Sequence, residues 1–303
     1  MWTSELSQDQ QDAVRALAGR ACAADGVAPL NEAALLALRT KVTEHLLRLD
    51  GDRLVGYLQW QPRAATAQLV VDPDARRRGV GTGLAEALAA HAEEQLWAFG
   101  DTAAARGFAD ARGLVPVRTM RVLHRPLGDS DRRSPDATPG SVPSPAGPSA
   151  RREPRPDWAL RGFRPGDEAA LLAVNAQAFA HHPEQAGLGR AGLAARLAEP
   201  WFDPDGLILA FDADGLVGFH WTKSRDADTG EVYVICVAPR AQGHGLGRRL
   251  LDAGLARLAD AGHRRVVLYV DSEDQIAVQM YETAGFALEH LDVVYAPLAK
   301  ETP

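Results

Sequence analysis

Apolar residues fall along this chain in two kinds of run. Short blocks such as Leu207-Ile208-Leu209-Ala210-Phe211, Val232-Tyr233-Val234-Ile235-Cys236-Val237 and Val266-Val267-Leu268-Tyr269-Val270 are bounded by turn residues and predict buried strands. A longer stretch, Ser7 to Asp25, has Val14, Leu17 and Ala18 on one face and predicts a helix that Ser7 can cap. Asn31 is placed to cap a second helix through Leu38. Strands at His45–Asp50 and Leu54–Trp60 are joined by the Asp50-Gly51-Asp52 turn, and Ala67–Val71 follows. The second half runs from a strand at Leu160 into a helix ending near Ala180. It continues with Leu207–Phe211, a hairpin turn at Asp212–Gly215, Val217–Lys223 and the strand headed by Glu231. A helix to about Ala261, the Val266–Val270 strand, a helix at Ile276–Thr283 stopped by Gly285, and a strand at Phe286–Ala296 complete it. Strands interleaved with helices predict an α/β fold with a mixed sheet flanked by helices.

The pattern occurs twice. Val71-x-Pro73 matches Val237-x-Pro239, and Arg76-x-x-Gly79-x-Gly81 matches Gln242-x-x-Gly245-x-Gly247, all at an offset of 166. Leu54-Val55-Gly56-Tyr57 answers Leu216-Val217-Gly218-Phe219, and Arg125-Pro126-Leu127 answers Ala296-Pro297-Leu298. Four features in the same order indicate two copies of one unit. Between them, Gly128 to Pro156 is rich in Pro, Ser, Gly and Ala with almost nothing to bury. The expected organisation is a unit over 1–128, a linker over 129–156 and a second unit over 157–303.

Each glycine-rich turn connects a strand to a helix and leaves backbone N–H groups unpaired at a positive helix end, which suits a phosphate or pyrophosphate. A dinucleotide fold wants this strand at the start of its domain, with an acidic residue about 20 positions on. Here the strand comes late, and no Gly-Lys-Ser/Thr marks a P-loop. Gln-x-x-Gly-x-Gly after a Val-x-Pro strand end resembles the acetyl-CoA pyrophosphate loop of the GNAT acetyltransferase superfamily.

A net charge of −7 argues against nucleic-acid or membrane-surface partners, and two cysteines, Cys22 and Cys236, supply no disulfide framework. With no basic leader and no run of about 18 apolar residues, the protein is expected in the cytoplasm, as a monomer acting on small molecules. His181 and His182 lack a third ligand of matching spacing and Pro183 breaks helical pairing, so no metal is expected.

Acyl transfer to an amine needs a proton acceptor for the ammonium, a donor for the developing oxyanion and an acid for the departing thiolate. Glu231 and Tyr281 suit the first and third roles, and backbone N–H groups near Ile235 to Val237 the second. The alternatives are a solvated strand end for Glu231 and a core aromatic for Tyr281. The first copy has Ala65 and Ala109 at the matching places, so one working site is expected, in the second half. Cys236 reads as a small buried hydrophobe.

His182-Pro183-Glu184-Gln185, Trp201-Phe202-Asp203-Pro204-Asp205-Gly206-Leu207-Ile208-Leu209-Ala210, Gly218-Phe219-His220-Trp221-Thr222-Lys223 and Glu231-Val232-Tyr233-Val234 together resemble the mycothiol synthases. Those are tandem GNAT enzymes that acetylate the cysteinyl amine of cysteinyl-glucosaminyl-inositol with acetyl-CoA. The resemblance implies that Glu32, Glu184, Lys223, Glu231 and Tyr269 contact the sugar-amine substrate, with Glu231 as base and Tyr281 as acid. It implies one acetyl-CoA on Leu69, Val70 and Val71 with Arg77, Arg78, Gly79, Val80, Gly81 and Thr82. The reacting one lies on Ile235, Cys236 and Val237 with Gln242, Gly243, His244, Gly245, Leu246, Gly247 and Arg248, helped by Asp274 and Gln279. The family usually has an asparagine opening the Tyr281 helix, where this chain has Asp274-Gln275. In the first copy, Arg76 to Arg78 are expected to hold acetyl-CoA without reacting it. Acetylation of another small amine or a protein N-terminus, or acyl-CoA sensing without turnover, remain as rival readings.

Overall fold

In the computed structural model, residues 1–132, 157–180 and 188–298 are described. Most of the expected linker, 133–156, and the loop holding His181, His182 and Glu184 lie outside them. In chain order the first elements are α1 (Gln8–Asp25), α2 (Glu32–Ala37), β1 (Glu44–Asp50), β2 (Arg53–Gln61), β3 (Thr66–Val71), α3 (Val80–Ala89), β4 (Leu96–Ala98), α4 (Ala103–Arg112) and β5 (Leu114–Pro126). Then come β6 (Ala159–Gly162), α5 (Glu168–Ala178), α6 (Arg190–Leu197), β7 (Leu207–Asp212), β8 (Gly215–Ser224), β9 (Thr229–Val237), α7 (Leu246–Asp260), β10 (Arg265–Asp271), α8 (Gln275–Thr283) and β11 (Ala287–Pro297).

Two compact units form. Unit 1 comprises Met1–Arg121 and Asp271–Asp274 with the described residues from His290 onward, and unit 2 comprises Val122–Val270 and Gln275–Glu289. In unit 1, α1 starts at a capping box: the Ser7 hydroxyl accepts from the Gln10 N–H at 3.3 Å and the Gln10 side chain accepts from the Ser7 N–H at 2.9 Å. Its sheet runs β1-β2-β3-β4-β11, antiparallel except for β3 beside β4. Val293 and Tyr295 of β11 join the core of Leu58, Leu84, Leu88 and Leu96, and Asp292 accepts the Gly100 N–H at 2.7 Å.

Unit 2 repeats this plan with β6-β7-β8-β9-β10, antiparallel except for β9 beside β10. The tail of β5 belongs to it: Leu123 packs with Val232, Leu251 and Leu268, and the Leu127 N–H donates to the Arg264 carbonyl at 2.8 Å. β5 and β11 hold equivalent places in the two copies, so each unit takes its last strand from the other copy's sequence. Helix α6 has no counterpart among the sequence expectations, since Gly189 and Gly192 mask its start and its amphipathic run is short.

His220, fully buried on β8, packs under α7, and its Nδ1–H donates to the Leu250 carbonyl at 2.8 Å. Only a glycine at 254 leaves room for the ring, since a β-carbon there would overlap it. Burial lowers the His220 pKa to about 4, and in unit 1 burial, partly opposed by Glu44, lowers that of His45 to about 4. Both imidazoles are neutral when folded and titrate near 6.5 when unfolded. Their stability is therefore complete above pH 6.5 and is lost as pH falls to about 4, by about 3 kcal/mol each. Thermal melts across that interval should show the midpoint falling steadily; a flat midpoint would contradict it. Gly254→Ala should destabilise unit 2 by about 1–3 kcal/mol in chemical denaturation, because the displaced ring sits in a packed core.

Candidate functional site

Strand β9 and the turn after it set the geometry. β9 pairs with β8 as far as Val237, but its parallel ladder with β10 runs only from Thr229 opposite Arg265 to Val232 opposite Leu268. Beyond that point the β9 backbone groups facing away from β8 have no ladder partner, although β10 continues to Asp271. Ile235 and Val237 are half-buried along this opening, whereas Cys236 points inward. Its thiol donates to the Val174 carbonyl at 3.6 Å and burial pushes its pKa up to about 12, so only its backbone can serve the cleft.

The turn has Gly243 at φ 77° and Gly245 at φ 88°, left-handed conformations that suit glycine. Gly245 stands at the start of α7 with no side-chain cap, and the first intrahelical bond runs from Arg249 to Gly245. The Leu246, Gly247 and Arg248 N–H groups at this positive end therefore have no helical partner. The Gln242 side chain donates to the Val237 carbonyl at 3.0 Å, and His244 Nδ1 donates to the Gln242 carbonyl at 2.7 Å, so both brace the loop. Arg248 Nε donates to Asp252 at 2.8 Å. Loop, helix end and opened strand together fit a pyrophosphate with an extended arm.

Unit 1 has the same parts in altered form. Arg76 Nε reaches back to the Val71 carbonyl at 3.4 Å, as Gln242 does to Val237, and Leu69 and Val71 match Ile235 and Val237 in being half-buried, with Val70 inward like Cys236. Gly79 keeps φ 81° at the start of α3, which carries Val80, Gly81 and Thr82. Both terminal nitrogens of Arg76 bind Asp25, each at 2.7 Å, while Arg77 and Arg78 are exposed on the turn. Arg77 also adopts φ 60°, where the second copy has Gly243. Ala65, opposite Glu231 in the repeat, has φ 51° in a turn before β3, so the strand stops short of the position where a base would stand.

Glu231 does not head its strand. β9 begins at Thr229, and Glu231 is an interior residue only 7% exposed, which removes the solvated-strand-end reading. It lies in register with Lys223 on β8 and Val267 on β10. The β8–β9 register shifts where Trp221 faces Val234 and Thr222 faces Val232, making Tyr233 an extra residue on β9, and this bulge changes which side chains share a face. The Lys223 ammonium lies 4.7 Å from the Trp201 ring centroid and 5.3 Å from that of Tyr233. Arg196 donates to the Tyr233 hydroxyl at 2.9 Å.

Sequence reasoning passed over Arg225, in what reads as an ordinary polar turn. Its Nη1 donates to the Tyr269 hydroxyl at 2.8 Å, and its Nε stands 3.6 Å from Glu231 Oε2. Burial works against its charge, and Tyr269 and Glu231 outweigh that, so its pKa is raised. Tyr281 on α8 is 7% exposed and stacks edge-on with Phe286 at 5.7 Å, in the core that includes Val232 and Leu268. Gln279 is exposed on the same helix. Glu32 opens α2 of unit 1, with Asn31 capping, and exposed Asp274 also belongs to unit 1. Among the described residues no group of three or more His, Cys, Asp or Glu could hold a metal ion. Among them, too, no helix is long and apolar enough to cross a membrane.

Residues 21–114 and 177–286 match the acetyltransferase (GNAT) family. The chain is 43% identical to a mycothiol acetyltransferase of Thermomonospora curvata, over 97% of this chain and 96% of that one. It is 42% identical to a mycothiol acetyltransferase of Mycolicibacterium smegmatis, over 97% and 98%. A tandem GNAT protein from the clavulanic acid biosynthesis pathway shares its fold, with a TM-score of 0.66 at 20% identity over 100% of this chain and 99% of the other. So does a GCN5-related N-acetyltransferase from Sphaerobacter thermophilus, with a TM-score of 0.64 at 20% identity over 97% and 94%. Two GNAT units, each with a strand that leaves its parallel neighbour at a glycine loop, and relatives matched almost end to end lead to one assignment: the chain belongs to the GNAT acetyltransferases and, among them, to the mycothiol acetyltransferase family.

Proposed function

We propose that this protein transfers the acetyl group of acetyl-CoA to the cysteinyl amine of cysteinyl-glucosaminyl-inositol, giving mycothiol and free coenzyme A. The observation that carries the reading is the buried Glu231 carboxylate on β9, in the unit whose strands part and beside the cluster of Lys223, Arg225 and Tyr269. A carboxylate held there takes a proton from the substrate ammonium, directly or through a water, and frees the nitrogen lone pair. The nitrogen bonds to the thioester carbonyl carbon as the carbon–sulfur bond breaks. Backbone N–H groups of Ile235 to Val237 on the open side of β9 donate to the carbonyl oxygen while charge develops on it. The Tyr281 hydroxyl gives its proton to the departing sulfur; the nitrogen, which carries two hydrogens and a positive charge once bonded to carbon, releases one of them to water, and the phenolate recovers one from water. The balance is ammonium plus acetyl-CoA going to amide, coenzyme A thiol and one proton, which Glu231 passes to water.

The turn of Gln242 to Arg248 holds the pyrophosphate on the Leu246, Gly247 and Arg248 amides. Lys223 and Tyr269 contact the sugar-amine. The first copy binds a second acetyl-CoA along Leu69 to Val71 and Arg77 to Thr82 without reacting it, since its proton-transfer positions are Ala65 and Ala109.

Coenzyme A thiol release should be selective for cysteinyl-glucosaminyl-inositol over simple amines, and Glu231→Gln and Tyr281→Phe should each lower kcat by roughly 10²-fold or more. Equal rates on unrelated amines would sink the substrate assignment, and full activity in either variant would remove that residue from its role. A matched pair of loop variants separates the copies. Gly79→Ala and Gly245→Ala put an alanine at φ 81° and 88°, in the left-handed region, and should each cost about 1–2 kcal/mol of stability. Only Gly245→Ala should raise the KM for acetyl-CoA, by about tenfold; an equal rise in Gly79→Ala would mean that both copies feed the reaction.

A further inference from the structure

We propose that Arg225 is a positioning residue that locks Glu231 and Tyr269 into one rigid unit, so that the proton acceptor on β9 and the substrate-contacting phenol on β10 are set by a single guanidinium. The inference rests on the roles given above to Glu231 and Tyr269.

The backbone of Arg225 is itself fixed. Arg225 follows directly after β8, and its N–H donates to the Thr229 carbonyl at 2.9 Å. The turn closes on Asp226, whose carboxylate accepts the Asp228 N–H at 2.8 Å and the Thr229 N–H at 2.7 Å. The side chain therefore starts from a defined point and folds back over the sheet. Nη1 meets the Tyr269 hydroxyl at 2.8 Å, Cζ lies 5.8 Å from the centre of the same ring, and Nε faces Glu231 Oε2 at 3.6 Å.

A guanidinium is planar, with its donors in fixed directions, so the hydrogen bond from Nη1 to Tyr269 sets the plane that faces Glu231, which Nε meets as an ion pair at 3.6 Å. The carboxylate end of that ion pair is buried, unlike an exposed pair between two long side chains, which fixes little. Glu231 is almost inaccessible to water, while Arg225 retains 40% side-chain exposure. The cation thus bridges a buried carboxylate to the solvent side of the cleft. Lys223 cannot supply the same link, because an ammonium is a point charge without a planar fork, and this one lies over the Trp201 and Tyr233 rings.

The deciding experiment is a double-mutant cycle on the full chain, with Arg225→Gln, Tyr269→Phe and the two combined, assayed by thiol release with cysteinyl-glucosaminyl-inositol. Calorimetric binding of that acceptor is measured alongside, and thermal midpoints are recorded for every variant. The expected result is a rise of about tenfold in acceptor KM and a lower kcat in Arg225→Gln, with the KM for acetyl-CoA within about twofold of wild type. The double variant should fall short of the product of the two single losses by about threefold or more, since each single change already breaks the link. Arg225→Lys should restore part of kcat but not the acceptor KM. Losses that simply multiply, a matching rise in the KM for acetyl-CoA, or full rescue by lysine would overturn the proposal. Wild-type turnover on a different amine would replace the substrate and leave the cycle to be read on that amine. Wild-type protein that neither binds the acceptor nor acetylates any amine would overturn both readings.

Discussion

A parallel strand pair that stops hydrogen bonding partway along leaves amide groups for water or a ligand to satisfy. In unit 2 this happens after Val232 and Leu268, and the parts of that unit can be understood from that point outward. β9 is pinned on its other side by β8 through Val237, so the open edge is presented by a strand that cannot drift. The chain then turns on Gly243 and Gly245 and offers three more unpaired amides at the head of α7. α7 is held in turn by His220 beneath it, in a space only Gly254 leaves. A line of amides followed by a cluster of them suits an extended amide-bearing arm that leads to a pyrophosphate, as coenzyme A has.

The two copies share some parts and differ in others. Both keep the strand-end valine, the glycine at the helix start and a side chain at 76 or 242 that braces the turn. They part company at the start of the strand that feeds the turn. β3 is six residues long against nine in β9, and Ala65 falls in a left-handed turn where the second copy continues its strand through Glu231. The missing glutamate and the shorter strand are thus one structural difference. Unit 1 also tolerates Arg77 in a conformation costing roughly 1–2 kcal/mol for a residue with a β-carbon, which fits a loop where the charge of the side chain matters.

Much of this was legible in the sequence because it is local. The duplication, the turns, the capping serine at position 7 and most strand positions follow from short-range pattern, and the structure places them within a residue or two. Glu231 was legible as a candidate but not as a buried one, because the apolar run starts after it and burial there comes from β8 and β10 on either side. The bulge at Tyr233 left no mark, since an extra residue changes pairing without changing composition. Arg225 was invisible for a related reason: its importance lies in reaching from the end of β8 to side chains on β9 and β10, and no spacing encodes that reach. The exchange of final strands was equally hidden, because β5 and β11 carry equivalent patterns and either would suit either sheet.

That exchange has a consequence during synthesis. A chain emerging from the ribosome N-terminus first will have made α1 through β4 long before the residues beyond 290 that complete the same sheet. Until then β4 presents an open edge, and the β5 segment that resembles its missing neighbour is already at hand. The sheet of the first copy can therefore be completed only once nearly all of the second has been made, which ties the two halves together at the level of the chain itself.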